Sequence, residues 1–456
     1  MINVRRLFSL AFIGSAAPYL YQVNAATATS NSRSVKMNQR PPLSSSLGKD
    51  SEGPRKIYRT LQVQVVHRHG DRSPITPLKD ESFWSSTLIP EALLTKISSN
   101  TALVESSQAN LHKANGRGPF GKLTELGLLQ MIQVGSTLRE KFVAKDEDDY
   151  FIDKDGNRHY PHAWKPSRPL CPDNIRVFST NFSRTIQSVQ GLLVGLFPDG
   201  TEHAISIDVR NTNWMLPDPQ PRRSQEQELL EDRLAMRDYI VERERQMAPL
   251  AARVTQVLHN LLASDAREVS FGVAQEHAGE SSIETEPLAW NQLAEITTCL
   301  AVRNRLPLGI TKEDQEAISK HVAWRWFENL KEPHLAYLSM NRFVSQQLSY
   351  FQKFTSEPPV TIWSAHDSTL IGLLCAYRLE MPATWPDYAS YLVMELIEVD
   401  DHDSKEQFVR FSLNGEVLSS NWGESLEMIP LDVLVEKIQT EGSTATSCVS
   451  DSEAPE

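Results

Sequence analysis

The chain has 456 residues, enough for a large core and more than one lobe, and its 40% hydrophobic and 23% charged residues are the balance of an ordinary globular protein. Its formal charge of -12 argues against nucleic-acid binding, which needs clustered Lys and Arg on the surface. An anion bound by such an acidic chain must be met by positive potential focused inside a pocket.

The N-terminus reads as a targeting segment. Arg5 and Arg6 precede an apolar run from Leu7 to Ala17, and Val23-Asn24-Ala25 supplies small residues for cleavage. Residues 1–25 are therefore expected to be a signal peptide that sends the chain into the secretory pathway. A mitochondrial transit peptide is the alternative, because six basic residues and no acidic one precede Asp50. No later stretch is long and apolar enough for a membrane helix. Residues 26–55, rich in Ser, Asn, Thr and Pro without periodicity, read as a disordered linker.

The first strand is Leu61–His67, where the alternating Leu61, Val63 and Val65 lead into Val66-His67-Arg68-His69-Gly70-Asp71-Arg72-Ser73-Pro74. Next, Thr124 is placed to cap a helix with Leu128, Leu129, Ile132 and Leu138 on its apolar face. Gly127 inside that helix costs about 1 kcal/mol against Ala, which points to close packing at that position. A second strand, Ile175–Ser179, turns through Thr180-Asn181-Phe182-Ser183 into a helix from Arg184 to Leu196. Helical patterns then dominate from Ser224 to Phe351. Leu229, Leu230, Leu234 and Ile240 suit one helix, Pro249 ends it, and Val254, Val257, Leu258 and Leu261 suit another. A third strand, Val360–Ser364, turns through Ala365-His366-Asp367-Ser368 into an apolar helix. Strand-like alternation returns from Tyr391 to Leu413.

This order predicts an α/β fold with a mostly parallel central sheet flanked by helices. The expected α/β domain comprises residues 56–214 and 346–438, with a mainly helical cap inserted at 215–345 and a disordered tail at 439–456. Sites in such sheets lie beyond the carboxyl ends of the strands, where all three charged clusters fall. The four cysteines, Cys171, Cys299, Cys375 and Cys448, match no zinc spacing and are too sparse for a disulfide scaffold. Cys375, in an apolar helical pattern, reads as a plain buried thiol.

Phosphate-ester chemistry accounts for these clusters best. Arg68, Arg72 and Arg184 offer planar, permanently charged forks for phosphoryl oxygens. Like charge lowers the pKa of His69, so a neutral ring nitrogen is available to attack phosphorus. His366 is placed to donate to a phosphoryl oxygen, and Asp367 to protonate the departing alcohol oxygen. The implied reaction is a two-step hydrolysis through a phosphohistidine, needing neither metal nor cofactor. Blander readings exist: Arg184 as a solvated helix residue, and Asp367 as only a helix N-cap. His67 reads as a core-edge side chain. His67 and His69 also form a His-x-His pair of the kind that holds a divalent ion, with His366 and Asp367 as further ligands. The flanking arginines would repel such an ion. A phosphate-binding module without turnover and a phosphomutase complete the alternatives.

At these residues the chain resembles the histidine acid phosphatases. Arg68-His69-Gly70-Asp71-Arg72-Ser73-Pro74 is similar to their Arg-His-Gly-x-Arg-x-Pro signature, and His366-Asp367 to their downstream His-Asp pair. The similarity extends through Leu123–Gln130, Ile175–Pro198, Trp290–Pro307 and Ser390–Leu396. It implies His69 as nucleophile, Asp367 as proton donor, and Arg68, Arg72, Arg184 and His366 as phosphate ligands. It also implies an α/β domain with a helical cap, no metal, and work at acid pH. Val63-Gln64-Val65-Val66, Gly121-Lys122-Leu123-Thr124, Ser179-Thr180-Asn181 and Leu192–Pro198 look most like the lysophosphatidic acid phosphatase branch. A lysophospholipid or other small phosphomonoester is the expected substrate, with phytase-like or sugar-phosphate hydrolysis as alternatives. The cysteine pair that relatives often carry before Ile429-Pro430-Leu431 is missing, as is the cap cysteine expected in 217–225.

Overall fold

The computed structural model describes residues 56–104, 118–210, 225–263, 287–401 and 403–450. The expected leader (1–25) and linker (26–55) lie outside the described residues. In chain order the first half runs β1 (Ile57–Arg68), α1 (Glu81–Ser86), α2 (Glu91–Ser98), β2 (Thr101–Leu103), α3 (Glu125–Phe142), β3 (Phe151–Ile152), β4 (Arg158–Tyr160), β5 (Ile175–Thr180), α4 (Ser183–Leu196) and β6 (Ile205–Arg210). Among the described residues, five helices follow: α5 (Gln225–Ala235), α6 (Asp238–His259), α7 (Trp290–Val302), α8 (Lys312–Leu330) and α9 (Pro333–Gln352). Then come β7 (Val360–Ala365), α10 (Asp367–Ala376), β8 (Tyr391–Asp400), β9 (Lys405–Leu413), β10 (Glu416–Leu418) and, after short strands, α11 (Leu431–Ser450).

The sheet has the order β10-β9-β8-β1-β7-β5-β6-β2. From β1 to β2 neighbouring strands are parallel, while β8, β9 and β10 pair antiparallel. The mostly parallel α/β sheet read from the sequence is the fold observed. Its two faces are covered by different helices, so β1 is buried on both sides from Gln62 to Arg68. Val63 and Val65 pack with Met131 and Leu138 of α3 and Val189 and Leu192 of α4. Val66 faces the other way, with Phe343 and Phe351 of α9 and Leu370 and Leu373 of α10. α3 and α4 lie in backbone contact: a Cβ on Gly195 would stand 2.0 Å from the Ile132 carbonyl oxygen.

The helices between β6 and β7 differ from expectation in two places. Pro249 does not end a helix but sits inside α6, and the break falls earlier, between Ala235 and Asp238. Burial explains this. Ile240 before the proline and Val254 and Leu258 after it are all buried, and their packing outweighs the roughly 3 kcal/mol that proline costs in a helix. α9 crosses the boundary expected at residue 345, because Met340, Phe343 and Leu348 all pack under the sheet. Val254, Leu258, Leu293, Ile296 and Val322 form a separate core that also takes in Leu78, Trp84 and Phe120. The helical region is thereby fastened to the segment that follows β1. At the other end of the chain, α11 continues beyond Thr440, with Leu434 and Ile438 buried and Glu441 paired with Arg378.

Candidate active site

Strand register brings the three charged clusters together. Arg68 pairs with Ala365 and Ser179 with Ser364, so β1, β5 and β7 end side by side. His69 leaves β1 with its N–H on the Ala365 carbonyl (3.1 Å) and is 2% exposed. The next residue must be glycine, since a Cβ on Gly70 would stand 2.2 Å from the Gly127 carbonyl oxygen. Gly127 is equally constrained, at 2.1 Å from the Asp71 oxygen, and this is the close packing that its place in a helix implies. Thr124 caps α3, accepting from the Gly127 N–H (3.2 Å), and its hydroxyl donates to Asp71 Oδ2 (2.5 Å).

His69 Nδ1 lies 2.8 Å from the Gly70 carbonyl oxygen. A carbonyl can only accept, so Nδ1 carries the hydrogen and Nε2 keeps its lone pair. Burial, then the charges of Arg184, Arg68, His366 and Arg72, hold the His69 pKa well below the usual 6.5. The His366 ring stands edge-on at 5.6 Å between centroids, with Nε2 2.9 Å from Thr180 Oγ1. Its pKa is also well below 6.5, first through burial and then through Arg184.

Each guanidinium is held on one side and has a buried Nε–H without a protein partner among the described residues. Arg68 gives Nη1 to the Pro386 carbonyl (2.6 Å) and Nη2 to Asp367 Oδ2 (2.7 Å), with its plane 4.1 Å from the Tyr388 ring centre. Arg72 gives Nη1 to Ser73 O and Glu295 Oε2, each at 3.0 Å. Arg184 rests over the Phe182 ring at 4.3 Å in the first turn of α4. A cation at the positive end of a helix, beside two others, goes against the local electrostatic preference. Burial and the Arg72 charge lower the Arg184 pKa to about 9. An anion placed among the three guanidiniums would supply the countercharge that Arg72 and Arg184 deny each other.

Asp367 opens α10, and its Oδ1 accepts the Ser368 N–H (2.8 Å) while Oδ2 also accepts from Trp385 Nε1 (3.2 Å). Burial raises its pKa, but Arg68, His366, Arg72 and that N–H outweigh it, and the carboxyl lies below its usual range. In this resting arrangement Asp367 is ionised and paired with Arg68.

All six residues singled out in the sequence thus lie together, within electrostatic reach of one another, beyond the ends of β1, β5 and β7. The His-x-His alternative gains no third ligand. Among the described residues no three His, Cys, Asp or Glu side chains gather into a metal-holding group, and His67 Nδ1 is 3.0 Å from the Arg68 carbonyl. Asn181 is buried at the turn between β5 and α4. Cys171, Cys299 and Cys375 are free thiols, and Cys375 is half-buried rather than fully buried.

Other residues of the pocket escape a sequence reading. Tyr388 stacks on Arg68 and lies 5.8 Å from the His69 ring, its hydroxyl 3.6 Å from Cys299 Sγ. Glu295 and Arg303 of the helical region reach Arg72 and Asp71. On a one-dimensional reading both are ordinary charges on an amphipathic helix.

The fold defines an α/β protein with three guanidiniums and two buried imidazoles gathered at the carboxyl ends of parallel strands. The chain belongs to the histidine phosphatase superfamily (branch 2), whose sequence pattern matches residues 61–414. Counting factor 60 of Dictyostelium discoideum is 26% identical over 395 residues, covering 82% of this chain and 84% of that protein. The lysophosphatidic acid phosphatase type 6 of Homo sapiens is 25% identical over 384 residues, covering 79% of each. Among solved structures, the phytase of Citrobacter braakii superposes with a TM-score of 0.53 at 12% identity, covering 84% of this chain and 98% of that one. That likeness speaks to the fold.

Proposed function

We propose that the protein is a metal-independent acid phosphatase that hydrolyses phosphomonoesters through a phosphohistidine at His69. The observation that carries this reading is a buried neutral imidazole within a ring of three guanidiniums, with a carboxyl at the start of the next helix. Phosphoryl transfer is mostly positioning and charge stabilisation, and the ring supplies both. Arg68, Arg72, Arg184 and His366 bind the phosphoryl oxygens. His69 Nε2 attacks in line, forming the N–P bond as the O–P bond to the alcohol breaks. Asp367 gives its proton to the departing oxygen. Water then attacks phosphorus from the vacated side, Asp367 takes its proton, and inorganic phosphate and neutral His69 are restored.

The Arg68–Asp367 pair supports an acid optimum. The donor must be protonated, yet the pair favours the carboxylate. Lower pH, and a phosphoryl dianion that draws Arg68 away, both restore the proton. The type 6 lysophosphatidic acid phosphatases, about a quarter identical over most of their length, support a lysophospholipid substrate. Entry to the secretory pathway stays part of the proposal, with mitochondrial import as the alternative. No helix among the described residues is long and apolar enough to cross a membrane.

The test is His69→Ala against p-nitrophenyl phosphate, with brief labelling by a radioactive ester and acid and base treatment of the labelled protein. Loss of turnover by at least about 10³-fold, and a label that is base-stable and acid-labile in the wild type only, is the expected result. Retained turnover removes the nucleophile. Comparing lysophosphatidic acid, inositol phosphates and sugar phosphates on the mature protein identifies the substrate.

A further inference from the structure

We infer that α7 is the positioning element of the signature loop, and that Glu295 is the positioning residue that turns Arg72 toward the phosphoryl group. The inference rests on the phosphatase reading above. Glu295 and Cys299 of α7, with Arg303 at its C-cap, recur at every fourth residue and so lie along one face. That face lies along the loop after β1. Glu295 Oε2 accepts from Arg72 Nη1 (3.0 Å) and the Ile75 N–H (2.8 Å), and its Oε1 accepts the Thr76 N–H (2.9 Å). Cys299 Sγ lies 3.4 Å from the Arg72 carbonyl oxygen. Arg303 Nη2 pairs with Asp71 Oδ2 at 2.6 Å, and Asp71 is itself fully buried.

An apolar contact would fasten a loop to a helix more simply than a carboxylate that is only 8% exposed. What the carboxylate adds is direction. Arg72 has one guanidinium, and Glu295 with Ser73 O occupies Nη1, so the Nε side is left without a protein partner. The helix thereby selects which edge of the fork faces His69. Arg303 does the same one residue earlier for the backbone, since Asp71 also holds the Thr124 cap of α3. The first variable position of the signature, Asp71, is the point where loop, α3 and the end of α7 meet.

Glutamine cannot replace Glu295 without setting N–H against N–H, because both carboxylate oxygens accept from donors. In Glu295→Gln, inhibition by inorganic phosphate is expected to weaken about tenfold, with a comparable rise in KM and a smaller fall in kcat. In an Arg72→Ala background the same change should alter phosphate inhibition by less than about twofold, since its effect passes through Arg72. Glu295→Asp, which keeps the charge and shortens the reach, should fall between the two and serves if the glutamine variant does not fold. A folded Glu295→Gln or Glu295→Asp that binds phosphate as the wild type does overturns the inference. So does an equal loss in both backgrounds, which is what a general loosening of the fold would give. A wild type that binds no phosphate, or a His69→Ala enzyme that still turns over, would instead overturn the phosphatase reading itself.

Discussion

The pocket has two halves of different origin. Arg68, His69, Arg72, Arg184, His366 and Asp367 come from the ends of three neighbouring parallel strands and the helix starts that follow them. Glu295, Arg303, Trp385 and Tyr388 come from α7 and its C-cap and from the segment before β8. The strand-end half carries the groups with a proton or lone pair to give and the three guanidiniums around them. The other half takes the remaining edges of those groups: a carboxylate on Arg72, a ring face on Arg68, an indole N–H on Asp367. Loss from the first half should remove a chemical step, whereas loss from the second should leave the step in place and misdirect it.

Asp367→Asn gives the largest contrast. Without a proton donor, turnover of an alkyl phosphate is expected to fall by about 10²–10⁴-fold, while p-nitrophenyl phosphate, whose leaving group needs little protonation, should fall far less. The Arg68 pair adds a second expectation. Asp367 competes with phosphate for that guanidinium, so inorganic phosphate should bind the variant no more weakly than the wild type. Equal slowing of both esters, or weaker phosphate binding, would place Asp367 in the orienting half instead.

In the second half, Tyr388 separates ring from hydroxyl. Its ring lies on the Arg68 plane at 4.1 Å, whereas its hydroxyl meets only Cys299 Sγ at 3.6 Å among the described hydrogen bonds. Tyr388→Phe should therefore keep kcat/KM within about threefold, and Tyr388→Leu should lower it about tenfold by freeing Arg68. Effects of equal size would show that the stacked face does not orient the guanidinium.

The same division explains what the sequence makes legible. β1, β5 and β7 each carry an apolar run that gives way to His67, Ser179 or Ser364, and a parallel sheet gathers such endings at one edge. Arg68, His69, Arg184 and His366 can therefore be assembled without coordinates. Glu295 and Arg303 cannot. They recur on α7 with the spacing of any helix face, and nothing local tells a face turned to solvent from one turned to a buried loop. Pro249 misleads for a related reason: its local cost is visible in the sequence, while the burial of Ile240 and Val254 that overrides it depends on distant partners.

Turnover is touched least at His67, which serves as a control for His69. Both rings are buried on or at the end of β1, two residues apart, but the cations that surround one do not perturb the other. Burial, opposed by the hydrogen bond to the Arg68 carbonyl, lowers the His67 pKa from 6.5 to about 4. A value depressed in the folded state means stability that is complete above pH 6.5 and is lost as pH falls through about 4, worth about 3 kcal/mol. His67→Gln removes that titration, so its urea stability should decline less than the wild type's between pH 6.5 and pH 4. Parallel declines would mean that acid sensitivity resides in the cation-ringed pair, His69 and His366. In that case the strand-end half would set the acid limit of the fold as well as its chemistry.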